Sequence, residues 1–305
     1  MSKWHIVDEQ VCLKFLRRSD ERRKNMLSWL RDFTRKLRSG ADASVETRKL
    51  LAELLQTQLW ETIGRTPRFQ DPLRLLSSGY KVYSQSHEDG IIAEIFRRIG
   101  TSSRRFIEFG VGDGLECNST LLLLQGWKGA WIDGFEPNAI ATRKHLRDNP
   151  LEIVASYINV ENADDLITRL AVGEELDMLS IDIDSIDYWV WQAIKTVKPR
   201  LVVIEYNATL PPSLSVTVPD VPDLRWNGSN YFGASLGALE KLGRAKGYAL
   251  VGCTPSGVNA FFVRNDLVGD KFCSPFTAEN HYEPPRYALS GPSGHRPGFG
   301  SWVNV

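Results

Sequence analysis

The chain predicts an α/β fold: a mainly parallel sheet with helices on both faces, preceded by a helical extension. Three observations lead there. Short apolar segments alternate with amphipathic ones up to residue 264, the pattern of strand and crossover helix. One apolar segment, Phe106-Ile-Glu-Phe109, runs straight into Gly110-Val-Gly-Asp-Gly114, where glycines permit positive φ and close approach of a ligand to the backbone. The last two segments, 248–253 and 259–264, are joined only by Thr254-Pro-Ser-Gly-Val258, too short for a parallel crossover, so they should pair antiparallel.

Taken in order, residues 1–79 form the helical N-terminal extension. Leu, Ile, Phe and Trp recur at helical intervals over 8–37 and 44–63, with Ser39-Gly40 between. Pro67 and Pro72 break the pattern, and Tyr83-Ser-Gln-Ser-His-Glu-Asp-Gly90 leads into an amphipathic helix over 91–99. The main domain is expected over 80–266, with strands at 106–110, 129–133, 152–157, 177–183 and 201–206. Helices are expected near 119–126, 139–148, 162–171, 187–196 and 235–246. Residues 208–229 make a loop too long to be a simple connection. Trp226 and the following Tyr231 and Phe232 argue against disorder there, so the loop reads as a lid over an acceptor. A Gly/Pro-rich C-terminal tail, 267–305, either covers the same mouth or packs along the surface.

Composition bounds the function. The chain has 305 residues, 42% hydrophobic and 24% charged, as expected of a folded globular protein. Its formal net charge is zero, which leaves no overall field for nucleic acid, and no nucleic-acid partner is expected. Residues 14–38 are locally basic, through Arg17, Arg18, Arg22, Arg23 and others. They form either a solvated helix face or a peripheral contact with lipid headgroups, and the extension could also serve a homo-oligomer. Cys12, Cys117, Cys253 and Cys273 lack metal or disulfide spacing. No apolar run is long enough for a membrane span or a signal peptide, and a cytoplasmic location is expected.

In an open parallel sheet, ligands bind beyond the carboxyl ends of the strands, so the chemistry is sought there. The turn after the first strand reads Glu108-Phe-Gly110-Val-Gly112-Asp113-Gly114, a spacing different from the G-x-G-x-x-G of dinucleotide sites. About twenty residues on, Trp131-Ile-Asp133-Gly-Phe-Glu136 ends a second strand in acids, and either Asp133 or Glu136 could accept both hydroxyls of a ribose. Asp182 and Asp184 follow the fourth strand, and Glu205 and Asn207 follow the fifth. In each pair the two residues are two apart, so on an extended chain they share a side. Such an oxygen-only set suits Mg²⁺, which could lower the pKa of a bound hydroxyl. The alternative is structural, with an Asp capping the next helix and Glu205 paired to an Arg. His87 and Asp182 are the candidate proton acceptors. Arg225, Trp226, Asn227 and Tyr231 are candidates for holding a sugar or ring by stacking and hydrogen bonds.

These segments resemble the FkbM-related S-adenosylmethionine (SAM) dependent methyltransferases of class I. The resemblance is carried by Ser84-Gln-Ser-His-Glu-Asp-Gly90, Glu108-Phe-Gly-Val-Gly-Asp-Gly-Leu-Glu-Cys-Asn118, Gly126-Trp-Lys-Gly-Ala-Trp-Ile-Asp133 and Ser180-Ile-Asp-Ile-Asp-Ser-Ile-Asp-Tyr-Trp189. Pro199 to Asn207 and Gly257 to Phe262 extend it. It implies a Rossmann-like seven-stranded methyltransferase sheet, six strands parallel and one antiparallel. It implies SAM as cofactor, held by Gln85, Glu108, Gly110, Gly112, Asp113, Gly114, Asn118, Asp133 and Glu136, with Glu136 favoured for the ribose. The activity implied is O-methylation of a hydroxyl on a saccharide, as in surface polysaccharides, or on a small natural product. The set Asp182, Asp184, Glu205 and Asn207 resembles the magnesium site of metal-dependent O-methyltransferases, except that Tyr206 separates an acid and an asparagine that are usually adjacent. A non-catalytic SAM-binding scaffold is the alternative, and a nicotinamide oxidoreductase is disfavoured by the glycine spacing and the terminal hairpin.

Overall fold

A computed structural model describes residues 47, 51, 54–135, 150–171, 173–221, 224–287 and 303–305. The chain divides into two units, Met1–Leu55 and Gln56–Val305. In the first, Thr47, Leu51, Leu54 and Leu55 are helical and exposed. The helices expected over 8–37 and 139–148 lie outside the described residues.

The second unit contains a seven-stranded sheet. Its strands are β1 (Arg105–Phe109), β2 (Lys128–Asp133), β3 (Leu151–Ala155), β4 (Met178–Ile181), β5 (Leu201–Glu205), β7 (Tyr248–Cys253) and β8 (Asn259–Arg264), while β6 (Val216–Thr217) lies apart. The spatial order is β3-β2-β1-β4-β5-β8-β7. All neighbours are parallel except β8, which runs antiparallel to β5 and to β7. Six strands therefore point one way and one the other, as the short terminal hairpin predicts. The chain reverses direction of growth between β3 and β4, which places a crevice at the carboxyl ends of β1 and β4.

Between and around the strands lie α1 (Pro67–Gln70), α2 (Glu88–Ile99), α3 (Thr120–Leu124), α4 (Ala163–Ala171), α5 (Asp187–Ala193), α6 (Leu236–Lys246), α7 (Asn265–Val268) and α8 (Ala278–His281). Helix α6 is bounded as its sequence dictates. Ser235 caps the start by accepting from Ala238 N, and Gly247 ends it at a φ of 85°.

Strand alternation divides the interior into two cores. Ile107, Phe109, Leu179, Ile181, Val202, Ile204 and Phe262 face one side, with Trp191 and Leu239 from the helices. Phe106, Met178, Leu201, Val203, Phe261 and Val263 face the other, against Ile91, Ile92 and Ile95 of α2. Glu108, Glu205 and Asn259 share the strand parity of this second set, which places them on the α2 face.

The loop after β5 is partly ordered by a second sheet, in which Val216–Thr217 pairs antiparallel with β9 (Val303–Asn304). The segment 276–287 is also fastened to the domain. Glu283 is buried and accepts from Arg68 Nε and from Arg286, each at 2.8 Å.

Candidate active site

A cavity of about 600 Å³ opens at the carboxyl ends of β1, β4 and β5, within the range of small-molecule sites. Glu108, Gly110, Gly112, Asp113 and Asn118 line one side of it, and Asp182, Asp184 and Glu205 line another. Gln85 and Ser86 contribute from the segment before α2, and Trp226, Gly228 and Phe232 from the long loop.

The glycine turn is built from both ends. Gly110 has a φ of 79°, and a Cβ there would lie 1.6 Å from the carbonyl oxygen of Asp182, so only glycine lets β1 and β4 leave the sheet side by side. Glu108 is buried and accepts the backbone N–H of Asn118 at 2.8 Å and of Ser119 at 3.0 Å, together with the Ser119 hydroxyl. It thus pins the start of α3 to the end of β1. Burial nevertheless pushes its pKa up. Asn118 is fixed in turn by donating to Ser180 Oγ at 3.0 Å.

Asp133, at the end of β2, accepts from Gly112 N at 2.8 Å and from Phe135 N at 2.7 Å. It holds the turn in shape and is not among the cavity-lining residues, and neither is Gly114. Glu136 lies outside the described residues.

The segment Ser84 to Gly90 folds around its own acids. One oxygen of Asp89 accepts from Val82, Tyr83 and Ser84 N–H at 2.7, 2.8 and 2.9 Å, while Ser84 Oγ accepts from Asp89 N at 3.0 Å. Glu88 accepts from Ser86 N at 2.6 Å and from Asn259 Nδ2 at 2.8 Å. A Cβ on Gly90 would lie 2.1 Å from Ser78 O. The result of this packing is that Gln85 and Ser86 reach the cavity wall. His87 does not line it. That residue sits at a φ of 77° with its ring edge against Trp60, centroids 4.8 Å apart, and burial lowers its pKa.

Beyond β4 the chain wraps Asp187, whose carboxylate accepts from Ile183 N at 2.8 Å and Ser185 N at 3.0 Å. Burial first, with the charge of Asp184 adding to it, raises its pKa to about 6. Asp184 adopts a φ of 58°, an uncommon conformation of the kind found at functional sites. One carboxylate oxygen from each of Asp182, Asp184 and Glu205 lies within 4.8 Å of the others. Asp182 and Glu205 have pKa values pushed well above the usual carboxylate range, by burial first and then by the charges of Asp184 and Asp187, with Glu108 and Glu88 adding at Asp182 and Asp182 itself adding at Glu205. Glu205 Oε2 is buried without a hydrogen-bond partner among the described residues. This donor set fits a hard divalent cation.

Asn207 is not brought into that set. Its amide donates to Asn230 O at 2.8 Å and Phe232 O at 3.0 Å, and its oxygen accepts from Thr209 N and Oγ1, at 3.1 and 2.5 Å. The reason is that β5 ends at Glu205, and the two-residue period holds only while the chain stays extended. Asn207 instead ties the long loop to the sheet.

Within that loop, Trp226 lines the cavity and donates through Nε1 to Ser229 O at 2.7 Å. Asn227 Oδ1 accepts from Ser229 N at 3.1 Å, and Tyr231 packs on the core. The Arg225 guanidinium stands 5.1 Å over the Tyr157 ring, which itself covers Gly134 at the end of β2. None of Asn227, Tyr231 and Arg225 lines the cavity.

Sequence reasoning missed Tyr206, Asn259 and Tyr287 as wall residues. Tyr206 donates to Glu283 O at 2.6 Å and so joins the wall to the tail segment, and burial raises the Tyr287 pKa to about 12. Asn259 opens β8 directly beside Glu205, a neighbour that strand register and not sequence spacing supplies.

No family model matches the chain, and no curated protein matches it. Among solved structures it is similar to CalS10 from Micromonospora echinaspora, an amino pentose methyltransferase solved with SAM bound. That match has 12% identity and a TM-score of 0.39, covering 59% of this chain and 92% of that one. It is also similar to DesVI of Streptomyces venezuelae, at 13% identity and a TM-score of 0.38, covering 58% of this chain and 90% of that one. A third is the N-terminal domain of EvdMO1, solved in the presence of S-adenosylhomocysteine (SAH) and D-fucose. Its figures are 13% identity and a TM-score of 0.38, with 67% and 94% covered.

Proposed function

We propose that this chain is a SAM-dependent O-methyltransferase that acts on a hydroxyl of a saccharide or small natural product. The observation that carries the reading is the single cavity with a glycine turn on one wall and three converging carboxylates on the other. In this reading the turn from Gly110 to Asp113, with Gln85 and Asn118, takes the adenosyl and methionyl parts of the cofactor. Glu136 is assigned the ribose, since Asp133 is engaged with Gly112.

Asp182, Asp184 and Glu205 would hold a divalent cation, which when bound lowers the pKa of a coordinated acceptor hydroxyl. Asp182 is assigned the proton. It lies where the β4 end meets the glycine turn, whereas His87 is turned toward Trp60. The bound cofactor would supply the methyl carbon, its carbon–sulfur bond breaking to leave the thioether SAH as the acceptor oxygen–carbon bond forms, and the hydroxyl proton would pass to the Asp182 carboxylate. Trp226 offers the acceptor an aromatic face at the mouth. Alignment of the reacting atoms supplies most of the acceleration.

Calorimetry of SAM and SAH binding, with Mg²⁺ and with EDTA, tests the reading in wild type and Glu136→Ala. Micromolar binding that the substitution removes is expected. Failure of the wild type to bind either nucleotide would overturn the proposal.

A further inference from the structure

We infer that Asn259 supplies a fourth oxygen to the divalent cation at the Asp182, Asp184 and Glu205 cluster, in the place sequence reasoning gave to Asn207. The inference rests on the metal-assisted part of the proposed function.

Four observations point to this role. Asn259 is 2% exposed, lines the cavity, and carries a buried Oδ1 that has no hydrogen-bond partner among the described residues. A buried amide oxygen left without a donor is costly in a finished protein unless something bound there satisfies it. The amide cannot turn away without loss, because Nδ2 donates to Glu88 Oε1 at 2.8 Å and the other Glu88 oxygen is taken by Ser86 N. With the nitrogen assigned to Glu88, the oxygen is the atom left for the cavity. The backbone is equally fixed, since Asn259 N donates to Thr254 Oγ1 at 3.0 Å and its carbonyl accepts Thr254 N at 2.8 Å.

Register supplies the last of the four. Asn259 is the direct cross-strand partner of Glu205 in the antiparallel β5–β8 pair, so both side chains leave the sheet on the same face, with Cβ atoms about 5 Å apart. Glu205 Oε2 and Asn259 Oδ1 are thus two neighbouring buried oxygens without donors, at the edge of a group that gathers three carboxylates. When Glu205 is ionised the two adjacent acceptors cannot satisfy each other, but one hard cation satisfies both, and amide oxygens are ordinary ligands of such ions. In this arrangement Glu88 is a positioning residue that presents the amide.

Mn²⁺ titration followed by the EPR signal of the free ion tests this on the full chain, with SAH calorimetry as the check on folding. The variants are Asp182→Asn, Asn259→Ala and Asn259→Asp. Wild type is expected to bind Mn²⁺, Asp182→Asn to lose it, and Asn259→Ala to bind about tenfold more weakly or worse while holding SAH as before. Asn259→Asp restores an oxygen and should recover the affinity. Equal Mn²⁺ affinity in wild type and Asn259→Ala would overturn the role of Asn259 and leave the cation reading intact. No Mn²⁺ binding by the wild type would instead remove the cation reading, and this inference with it. If Asn259→Ala does not fold, wild-type protein carrying ¹³C at the asparagine side-chain carbonyl decides the matter. A ¹³C hyperfine coupling to bound Mn²⁺ is expected, and its absence overturns the inference.

Discussion

The two walls of the cavity treat their acids in opposite ways. On the glycine side, Glu108 is surrounded by the N–H groups of Asn118 and Ser119, and Asp133 by those of Gly112 and Phe135. These carboxylates are spent on holding a turn in shape. On the β4–β5 side, Asp182, Asp184 and Glu205 are crowded together, and Glu205 keeps a buried oxygen with no donor. An acid supplied with donors is part of a frame, whereas acids packed against one another need a proton or a cation from outside. In the proposed reading, the contrast separates the residues that shape the site from those that would act in it.

The largest expected effect tests the acting side. With a hydroxyl acceptor found by screening saccharides for SAH release, Asp182→Asn should lower turnover by about 10²–10⁴-fold. His87→Phe should stay within about threefold, because that ring packs on Trp60 and not on the cavity. Equal losses in the two variants would break the distinction.

The framing side is tested by its glycines. Gly110→Ala, forced against the Asp182 carbonyl at a φ of 79°, should cost about 4 kcal/mol in chemical unfolding. At Gly112 nothing lies within 4 Å of an added Cβ, so alanine there pays only for a φ of 54°, about 1–2 kcal/mol. Similar costs at the two positions would show that the strand-end contact is not what fixes the turn.

A smaller effect follows from pH. A carboxyl whose pKa is raised on folding binds its proton more tightly in the folded chain, so stability falls as pH rises through the interval between the two values. For Asp187 that interval runs from 3.8 to about 6, and Asp182 and Glu205, also raised by burial, act in the same direction. In EDTA, thermal unfolding should therefore shift upward by roughly 5 °C between pH 7 and pH 5. Saturating Mg²⁺ should flatten part of that slope, since in the proposed reading a cation replaces the proton on Asp182 and Glu205. A slope that persists unchanged in Mg²⁺ would return these acids to the frame.

Much of this was legible in the sequence because it is local. The hairpin strands 248–253 and 259–264 appear where their patterns placed them, and β1 runs into the glycine turn as its composition demands. The cluster was legible only in part, and partly for the wrong geometric reason. Asp182 and Asp184 were grouped by strand alternation, yet β4 ends at Ile181, and the left-handed turn at Asp184 lies beyond the strand. The same argument placed Asn207 with Glu205 and did not hold, since the chain leaves the sheet after Glu205. Asn259 could not be seen by spacing at all, because its neighbour is 54 positions earlier in the chain and is brought beside it by strand register. Nor does the sequence say that Asp89 would be consumed by its own loop and Glu88 shared between that loop and Asn259, leaving Gln85 and Ser86 to face the cavity.

The short β6–β9 pair has a consequence for the order in which the molecule assembles. Ser215 Oγ donates to the carbonyl oxygen of Val305, and Val305 N donates to Ser215 O at 3.1 Å, contacts that join positions 90 residues apart. A contact of that separation closes only after most of the intervening chain has been placed, and it returns few hydrogen bonds for the ordering it requires. The segment that carries Trp226 should thus be the last part of the site to become ordered during folding, and the first to exchange its amide protons afterwards.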